Sequence, residues 1–391
     1  MDKFPGKLKE KLRERKASGS LRALREQDGL VDFSSNDYLG YARHKGIASW
    51  TAQLLSESET LLNGATGSRL LTGNHKLYSE LEKILEKLHE APVLVFNSGY
   101  DANIGFFASV PQRHDLVFYD ELAHASIRDG IRLGLAKSFK FRHNDLEDLR
   151  EQLKKIRTSK PSQEVSGREC YVVTESVFSM DGDSPDLEAL CKLCAGHGCR
   201  LVVDEAHAIG VFGPGCIGLM QAKGLQEQVF ARILTFGKAM GAHGAAIAGN
   251  GLLKEYLLNF ARSFIYTTAL PPHSIAGLQA ACHFSSTDSA GALFEKLREN
   301  IDFFRQGLAS QGLTKYFHPS ESAIHSCIIP GNSRVGEVAG AMRDAGFDLR
   351  PILAPTVPEG KERLRFCLHS FNTREEIEAV QHLLSDLIKV T

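Results

Sequence analysis

One lysine, Lys238, lies among small residues in the segment LTFGKAMGAHG (234–244). A Gly-Lys pair can bind a phosphate in a P-loop, and a lysine on a tight loop can instead form a Schiff base with an aldehyde. A P-loop needs a glycine five positions before the second glycine and a Ser or Thr after the lysine, but the chain has Arg232 and Ala239 there. The P-loop is therefore excluded. A nucleophilic amine remains, with an ordinary surface lysine as the alternative.

Further polar residues follow five short apolar segments that have the pattern of buried parallel strands. These segments are VLVF (93–96), LVFY (116–119), YVVT (171–174), LVVD (201–204) and RILT (232–235). In wound α/β sheets, ligands bind beyond the carboxyl ends of the strands. The residues that this arrangement would bring to one edge are Ser98, Gly99, Tyr100, His124, Ser179, Asp204, His207 and Lys238. This set suits an aromatic, phosphorylated, electron-withdrawing cofactor.

The elements around these segments favour an α/β fold with a wound, mostly parallel sheet. Apolar and amphipathic segments alternate from about residue 74 to 270, and HKLYSELEKILEKLH (75–89) has its leucines on one helical face. Towards the C-terminus, helices alternate with the strand-like segments AIHSCIIP and RLRFCLH, which predicts a smaller α/β domain. The expected division is an N-terminal arm (1–45), a large cofactor-binding domain (46–270) and a small domain (271–391).

Composition is that of a globular protein. The 391 residues are 43% hydrophobic and 24% charged with a net charge of -1, so nothing favours nucleic acid or an acidic membrane surface as a partner. The N-terminal sequence MDKFPGKLKEKLRERK is charged and lacks an apolar signal region, and no apolar run reaches the ~18 residues of a membrane span. We therefore expect a cytoplasmic protein, whose eight cysteines are mostly reduced.

One cysteine cluster, CKLCAGHGC (191–199), superficially resembles a zinc site. The preceding residues, however, predict a helix over 184–194 that begins at Pro185 and has Leu190 and Cys194 on one face. Thiols on a buried helix face are common core residues. We therefore expect no bound metal.

Several motifs together resemble one enzyme family. DEAH (204–207) is followed about 30 residues later by TFGK (235–238), and SSNDYLG, FNSGYDAN, LAHASIRDG, VFSMDGD and YTTALPP accompany them. This combination resembles the pyridoxal-phosphate-dependent α-oxoamine synthases from about residue 20 to 375. The resemblance implies a type I aminotransferase fold, with a large domain and a smaller C-terminal α/β domain. It also implies pyridoxal 5'-phosphate as cofactor and a homodimer with active sites at the interface.

The resemblance assigns catalytic roles to four residues. Lys238 would bind the cofactor covalently and later move the Cα proton of the amino acid. Asp204 would pair with the pyridine nitrogen and keep it protonated, which lets the ring accept the electrons released at Cα. His124 would stack on the ring, and His207 would form a hydrogen bond near its 3-oxygen.

Further cofactor contacts are implied in the same way. Ser179 would lie beside the phenolic oxygen of the cofactor. The backbone amides of Gly99 and Tyr100 would hold the phosphate together with Thr235, which suits a helix N-terminus. Thr268 would reach the phosphate bound in the partner subunit.

Substrate contacts are expected for three residues, of which Asn36 and Arg363 match family positions. Asn36 and Arg363 would bind the substrate carboxylate, for which a guanidinium offers a planar grip. Arg22 is a candidate contact for the acyl donor, with a solvated helical arginine as the alternative. Arg365 alternates with Arg363 on one strand face, and spacing alone does not rank the two.

The resemblance implies, as the expected reaction, the decarboxylating condensation of L-alanine with a pimeloyl thioester of coenzyme A or a carrier protein, with release of CO2 and free thiol. A sister activity with glycine or serine and another acyl donor is the near alternative. An aminotransferase and a protein that binds the cofactor only for structure are more distant ones. The chain departs from the family at Ala208-Ile209, where a Gly-Thr pair is usual, and at Asn372, where a histidine is usual.

Overall fold

The structure is a computed structural model that describes residues 4–22, 24, 29–58, 62–158 and 167–389. It divides into two compact units. The large unit comprises 36–179 and 183–295, and the small unit comprises 1–35, 180–182 and 296–391. The compact units divide the chain at 35 and at 295, which lies within a helix. The domain limits expected from the sequence, at 45 and 270, are functional divisions and stay a prediction.

Helices and strands are numbered along the chain. The helices are α1 (Gly6–Ala17), α2 (Lys45–Glu57), α3 (Lys76–His89), α4 (Gly99–Ser109), α5 (Ala125–Leu133), α6 (Leu146–Thr158), α7 (Leu187–His197), α8 (Leu219–Ala222), α9 (Gly251–Phe260), α10 (Arg262–Ile265), α11 (Pro272–Ser285), α12 (Asp288–Ser310), α13 (Asn332–Asp344) and α14 (Arg374–Lys389). The strands are β1 (Val31–Asp32), β2 (Val93–Phe96), β3 (Leu116–Asp120), β4 (Lys137–Phe141), β5 (Cys170–Glu175), β6 (Arg200–Asp204), β7 (Ala231–Thr235), β8 (Ala245–Gly249), β9 (Ile324–Ile328), β10 (Phe347–Asp348), β11 (Arg350–Ile352) and β12 (Arg363–Cys367). Within the described ranges, no helix combines the length and the apolarity needed to cross a bilayer.

The large unit is built on a seven-stranded sheet with the order β2-β8-β7-β6-β5-β3-β4. All five strands predicted from the sequence are confirmed, and β4, β3, β5, β6 and β7 pair in parallel. The parallel pairing expected for VLVF is wrong, because β2 pairs antiparallel with β8. Since β8 also runs antiparallel to β7, β2 points in the same direction as β7. Its carboxyl end therefore still reaches the common edge.

Alternate residues of the central strands pack on opposite faces of this sheet. Val117, Val173 and Val202 belong to the core cluster that includes residues of α4 and α9. Phe118 and Val203, one position along their strands, belong to the cluster that includes residues of α6 and α7. Burial on both faces explains why these strands are apolar throughout.

The predicted helices α3 and α7 are present, but α7 begins at Leu187 and not at 184. The side chain of Asp186 accepts a hydrogen bond from the backbone N–H of Ala189 (2.9 Å), which caps the helix after Pro185. Gly198 adopts a left-handed conformation and ends it. The capping aspartate decides the start, where the sequence analysis relied on the proline.

Two cysteines of CKLCAGHGC, Cys191 and Cys194, are buried in the core of the large unit. The thiol of Cys199 lies 3.2 Å from that of Cys170 on the neighbouring strand. In the described part of the chain, no group of His, Cys, Asp and Glu side chains is placed to hold a metal ion. The first two thiols therefore contribute to packing.

The small unit contains an antiparallel sheet with the order β11-β12-β9 and a parallel pair of β1 with β10. The two strands predicted near the C-terminus are confirmed as β9 and β12. Its core includes Phe304 of α12, Phe366 of β12 and Leu384 of α14. The charged helix α1 buries none of its residues.

In the large unit, a histidine lies between two carboxylates near the ends of β4 and β5. The Nδ1 atom of His143 is 2.9 Å from Oδ1 of Asp120, and its Nε2 is 2.8 Å from Oδ2 of Asp183. Burial lowers the pKa of His143, but hydrogen bonds to both carboxylates and their charges outweigh burial and raise it to about 10. The ring is therefore an imidazolium at neutral pH.

Replacing His143 with glutamine should lower the thermal unfolding midpoint by about 2–3 °C near pH 6, because hydrogen bonds to a charged group contribute about 2 kcal/mol. A folded-state pKa above the ordinary 6.5 means that this stabilisation is complete below pH 6.5 and is lost as the pH rises through about 10. Calorimetry over a pH series should therefore show the two proteins converging at high pH.

The matched control is His273→Gln, at an exposed position of α11. That variant should follow the wild-type curve at every pH. A deficit of His143→Gln that stays constant with pH would contradict the imidazolium assignment.

Candidate active site

Lys238 lies in a tight connection from β7 to β8. The backbone N–H of Gly241 donates to the carbonyl of Lys238 (2.8 Å), which closes the turn. Gly241 has a φ of 58°, and a Cβ there would collide with the backbone of Tyr41 and Ala42. Close packing of the backbone therefore requires a glycine at position 241. The side chain of Lys238 is half-buried at the carboxyl edge of the sheet.

The amine of Lys238 begins a chain of hydrogen bonds. Its Nζ lies 2.7 Å from Nε2 of His207, whose Nδ1 lies 2.8 Å from the hydroxyl of Tyr38. That hydroxyl donates to Oδ1 of Asn36 (3.0 Å). The structure therefore brings together three residues predicted from the sequence, and Tyr38 links two of them.

Asp204 ends β6 with its carboxylate buried at 5% exposure. One carboxylate oxygen accepts from the backbone N–H of Ala206 and the other from Nδ2 of Asn103, both at 2.9 Å. Asn103 also donates to the hydroxyl of Ser126 (3.0 Å). Neither Asn103 nor Ser126 is among the site residues predicted from the sequence. A polar side chain one turn after Gly99, on the buried face of α4, was the available signal for Asn103.

His124 lies directly before α5 and connects to the Asp204 cluster. Its Nδ1 is 2.7 Å from the hydroxyl of Ser126, and its backbone N–H donates to Oε1 of Glu175 (2.7 Å). Burial lowers the pKa of His124; the Asp204 carboxylate opposes this shift and the Lys238 charge adds to it. A neutral ring suits the predicted role of stacking on an aromatic cofactor.

Glu175 is a further buried group that the sequence analysis missed. It ends β5 and stands opposite Asp204 in the parallel pairing of β5 with β6. Burial, and then the Asp204 carboxylate, raise the pKa of Glu175 to about 8, although the Lys238 charge opposes them. Glu175 therefore holds its proton at neutral pH, which limits the negative charge beside Asp204.

The N-terminus of α4 forms the expected phosphate position. Ser98 caps the helix, since its hydroxyl accepts from the backbone N–H of Asp101 (3.1 Å). A Cβ on Gly99 would lie 2.6 Å from the hydroxyl of Thr235, so the loop passes close to that hydroxyl only because Gly99 has no side chain. The phenol of Tyr100 donates a hydrogen bond to Asp129 (2.7 Å). The predicted contact of Tyr100 with a phosphate therefore involves its backbone N–H and not its side chain.

Two other predicted cofactor residues lie on loops of the same unit. Ser179 is half-buried in the segment after β5. Thr268 is exposed, and its carbonyl accepts from Nδ2 of Asn97 (2.7 Å) next to the Gly99 loop. Their contacts with a cofactor stay predictions.

Two of the three predicted substrate residues belong to the small unit. Arg363 is buried, and its guanidinium forms an ion pair and a hydrogen bond with Asp181. Arg22 is exposed after α1. Asn372, where the family usually has a histidine, accepts from the backbone N–H of His369 (2.9 Å) and donates to the carbonyl of Asp32 (3.1 Å). It therefore contributes to the structure of its own unit.

The other departure from the family, Ala208-Ile209, is buried in the large unit at 0% and 2% exposure.

The donor set at the carboxyl edge of the sheet fits a phosphorylated aldehyde with a basic ring nitrogen. Lys238 offers an amine for the aldehyde, Asp204 a carboxylate for the nitrogen, and the α4 N-terminus offers N–H groups for the phosphate.

Comparisons with known proteins identify the family. The family model for aminotransferase class I and II matches residues 28–383. An 8-amino-7-oxononanoate synthase from Emericella nidulans is 40% identical over 364 residues, which cover 90% of this chain and 87% of that protein.

Solved structures give the same result. A serine palmitoyltransferase variant from S. paucimobilis, with a pyridoxal-phosphate–myriocin aldimine bound, superposes with a TM-score of 0.86 at 25% sequence identity. The superposition covers 98% of this chain and 97% of that enzyme. The 8-amino-7-oxononanoate synthase of Francisella tularensis has a TM-score of 0.75 at 26% identity and covers 93% of this chain and 99% of its own. The expected type I aminotransferase fold is confirmed, and the chain belongs to the aminotransferase class I and II family.

Proposed function

We propose that the protein is a pyridoxal-phosphate-dependent 8-amino-7-oxononanoate synthase. It condenses L-alanine with a pimeloyl thioester of coenzyme A or a carrier protein and forms 8-amino-7-oxononanoate, CO2 and free thiol, a step of biotin biosynthesis. The observation that carries the enzyme chemistry is the placement of the Lys238 amine 2.7 Å from His207, at the same edge of the sheet as the buried carboxylate of Asp204. The choice of substrates rests on the 40% identity to a synthase of that name.

When bound, pyridoxal phosphate supplies an aldehyde for the amine and a protonated ring that withdraws electrons from Cα of the amino acid. Lys238 would hold the cofactor through its amine and would later act as the base that removes the Cα proton of the amino acid, so that one side chain is anchor and general base in turn. Asp204 would keep the ring nitrogen protonated. Asn103 orients the Asp204 carboxylate through the 2.9 Å hydrogen bond.

Carbon–carbon bond formation then joins Cα to the thioester carbonyl, and the thiol leaves. The resulting β-keto acid loses CO2, and a proton returns to Cα. The family resemblance assigns the amino-acid carboxylate to Asn36 and Arg363 and the acyl donor to Arg22. An incoming carboxylate would share the Arg363 guanidinium with Asp181, to which it is paired.

Two remaining features belong to the same proposal. The protein works as a homodimer in which Thr268 contacts the phosphate bound by the partner subunit, as the family resemblance implies. A cytoplasmic location is also part of the proposal.

The first prediction from the proposed function concerns Lys238. Borohydride reduction of the cofactor-loaded protein should fix pyridoxal phosphate covalently to this residue, and peptide mass spectrometry should find the adduct there. Lys238→Ala should lose the adduct and at least about a hundredfold in thiol release, because general-base catalysis contributes about that much or more.

The matched control is Lys254→Ala. Lys254 is a half-buried lysine of the same unit that pairs with Glu86 (2.7 Å) and Glu82 (3.3 Å). This variant should retain the adduct on Lys238. An adduct on any other lysine in the wild-type protein would refute the assignment.

The second prediction concerns substrate choice. Thiol release, measured over a grid of alanine, glycine and serine with pimeloyl, acetyl and palmitoyl thioesters, should be fastest for alanine with the pimeloyl donor. One methyl group distinguishes alanine from glycine, which is worth about 1–3 kcal/mol, so a preference of roughly 10-fold or more is expected.

The grid includes serine with a palmitoyl donor because serine palmitoyltransferase shares the fold. Lys238→Ala gives the background rate for every pair. Faster thiol release from glycine or serine with another donor would assign the protein to a sister activity.

A further inference from the structure

We propose that Tyr38 is a positioning residue that fixes the tautomer of His207, so that Nε2 of His207 is the atom that accepts a proton from Lys238. The observation is the line of hydrogen bonds within the large unit from Lys238 through His207 and Tyr38 to Asn36, with distances of 2.7, 2.8 and 3.0 Å. Each bond joins groups whose capacity to donate is limited by their chemistry.

The number of protons that each group can donate decides which atom donates and which accepts in each of these hydrogen bonds. The hydroxyl of Tyr38 has one proton and gives it to Oδ1 of Asn36, an atom that can only accept. In its contact with His207 the hydroxyl oxygen must then accept, so Nδ1 carries a proton. In a neutral imidazole the other nitrogen has a lone pair. Nε2 therefore accepts from the Lys238 amine at 2.7 Å.

This arrangement gives Lys238 a partner for its proton. After Lys238 has taken the Cα proton, an N–H bond at Nζ can break while an N–H bond forms at Nε2, which leaves a neutral amine beside an imidazolium. The reverse transfer restores both groups. The proton on Nδ1 stays in place throughout, because Tyr38 and Asn36 hold it.

Tyr38 is well placed to impose this constraint. Its side chain is fully buried, and the ring lies 6.3 Å from the His207 ring, centroid to centroid. The adjacent Asp37 accepts from the backbone N–H of Ala42 (3.1 Å) and pairs with Arg43 (3.2 Å), which fixes the local backbone. A buried phenol cannot turn away without losing its partners.

Other charged groups act on Lys238 as well. The carboxyl group of Glu175 and the ring of His124 interact electrostatically with Lys238, and the Asp204 carboxylate interacts with both of these groups. These three groups are unchanged in the variants below, so a difference between variants reflects the hydrogen bonds from Lys238 through His207 and Tyr38 to Asn36. The inference rests on the proposed function only in taking Lys238 as the group that moves the proton.

The test measures protonation of Lys238 in the full-length protein prepared without cofactor. Lysines are acetylated with limiting acetic anhydride over a pH series, and mass spectrometry of the Lys238 peptide gives the midpoint of labelling. In Tyr38→Phe, the Nδ1–H group loses its hydrogen bond to the phenol, so Nε2 becomes less basic and the Nε2–H tautomer gains population. The hydrogen bond from the ammonium of Lys238 to Nε2 is therefore weaker. The midpoint should fall by about one pH unit, the size expected for a hydrogen bond to a charged group.

Asn36→Leu tests the same line independently. Without the Asn36 acceptor, the hydroxyl of Tyr38 is able to donate to Nδ1 of His207, which places the proton on Nε2. The midpoint of Lys238 labelling should fall in this variant also. If Tyr38→Phe does not fold, the Asn36→Leu result tests the proposal by itself.

The matched control is Tyr78→Phe, which removes another buried hydroxyl of the same unit, bonded to the backbone of Leu270. Its midpoint should equal that of the wild type. An unchanged or raised midpoint in Tyr38→Phe or Asn36→Leu would overturn the proposal, as would an equal fall in Tyr78→Phe. Failure of thiol release from alanine and a pimeloyl thioester, with the midpoint shifts intact, would refute the proposed function and leave this inference standing.

Discussion

The structure depends on parallel pairing between strands that are buried on both faces. β3, β5, β6 and β7 can hold no uncompensated polar side chain along their length, because both faces pack against helices. Polar groups are tolerated where these strands end, and parallel strands end at one edge. Glu175 and Asp204 stand opposite each other there, and Lys238 follows the next strand. The site is therefore a consequence of how the core is built.

Placing several ionisable groups at one edge creates an electrostatic problem that the site solves by selective protonation. Burial and the neighbouring Asp204 raise the pKa of Glu175 to about 8, so this carboxyl group is neutral at pH 7. Burial also favours the neutral ring of His124. Hydrogen bonds from Asn103 and from a backbone amide hold the Asp204 carboxylate in a fixed orientation. These conditions suit a group that must keep a ring nitrogen protonated.

The sequence predicted the sheet and the main site residues because both depend on local patterns. Apolar segments identified five strands, and the residues after them included Lys238, Asp204 and His207. It did not predict β8 or β4, since AAIAG has few strand-favouring residues and KSFKF has the exposed lysines of an edge strand. Asn103 and Tyr38 were missed because their roles come from contacts between distant segments, which spacing does not show.

The central claim is that Lys238 and Asp204 hold the two ends of one cofactor. A crystal structure of the protein grown with pyridoxal phosphate tests this most directly. The account predicts electron density continuous from Nζ of Lys238 to the cofactor, with the pyridine nitrogen within hydrogen-bonding distance of an Asp204 oxygen. Density joined to another lysine, or a ring nitrogen directed away from Asp204, would contradict it.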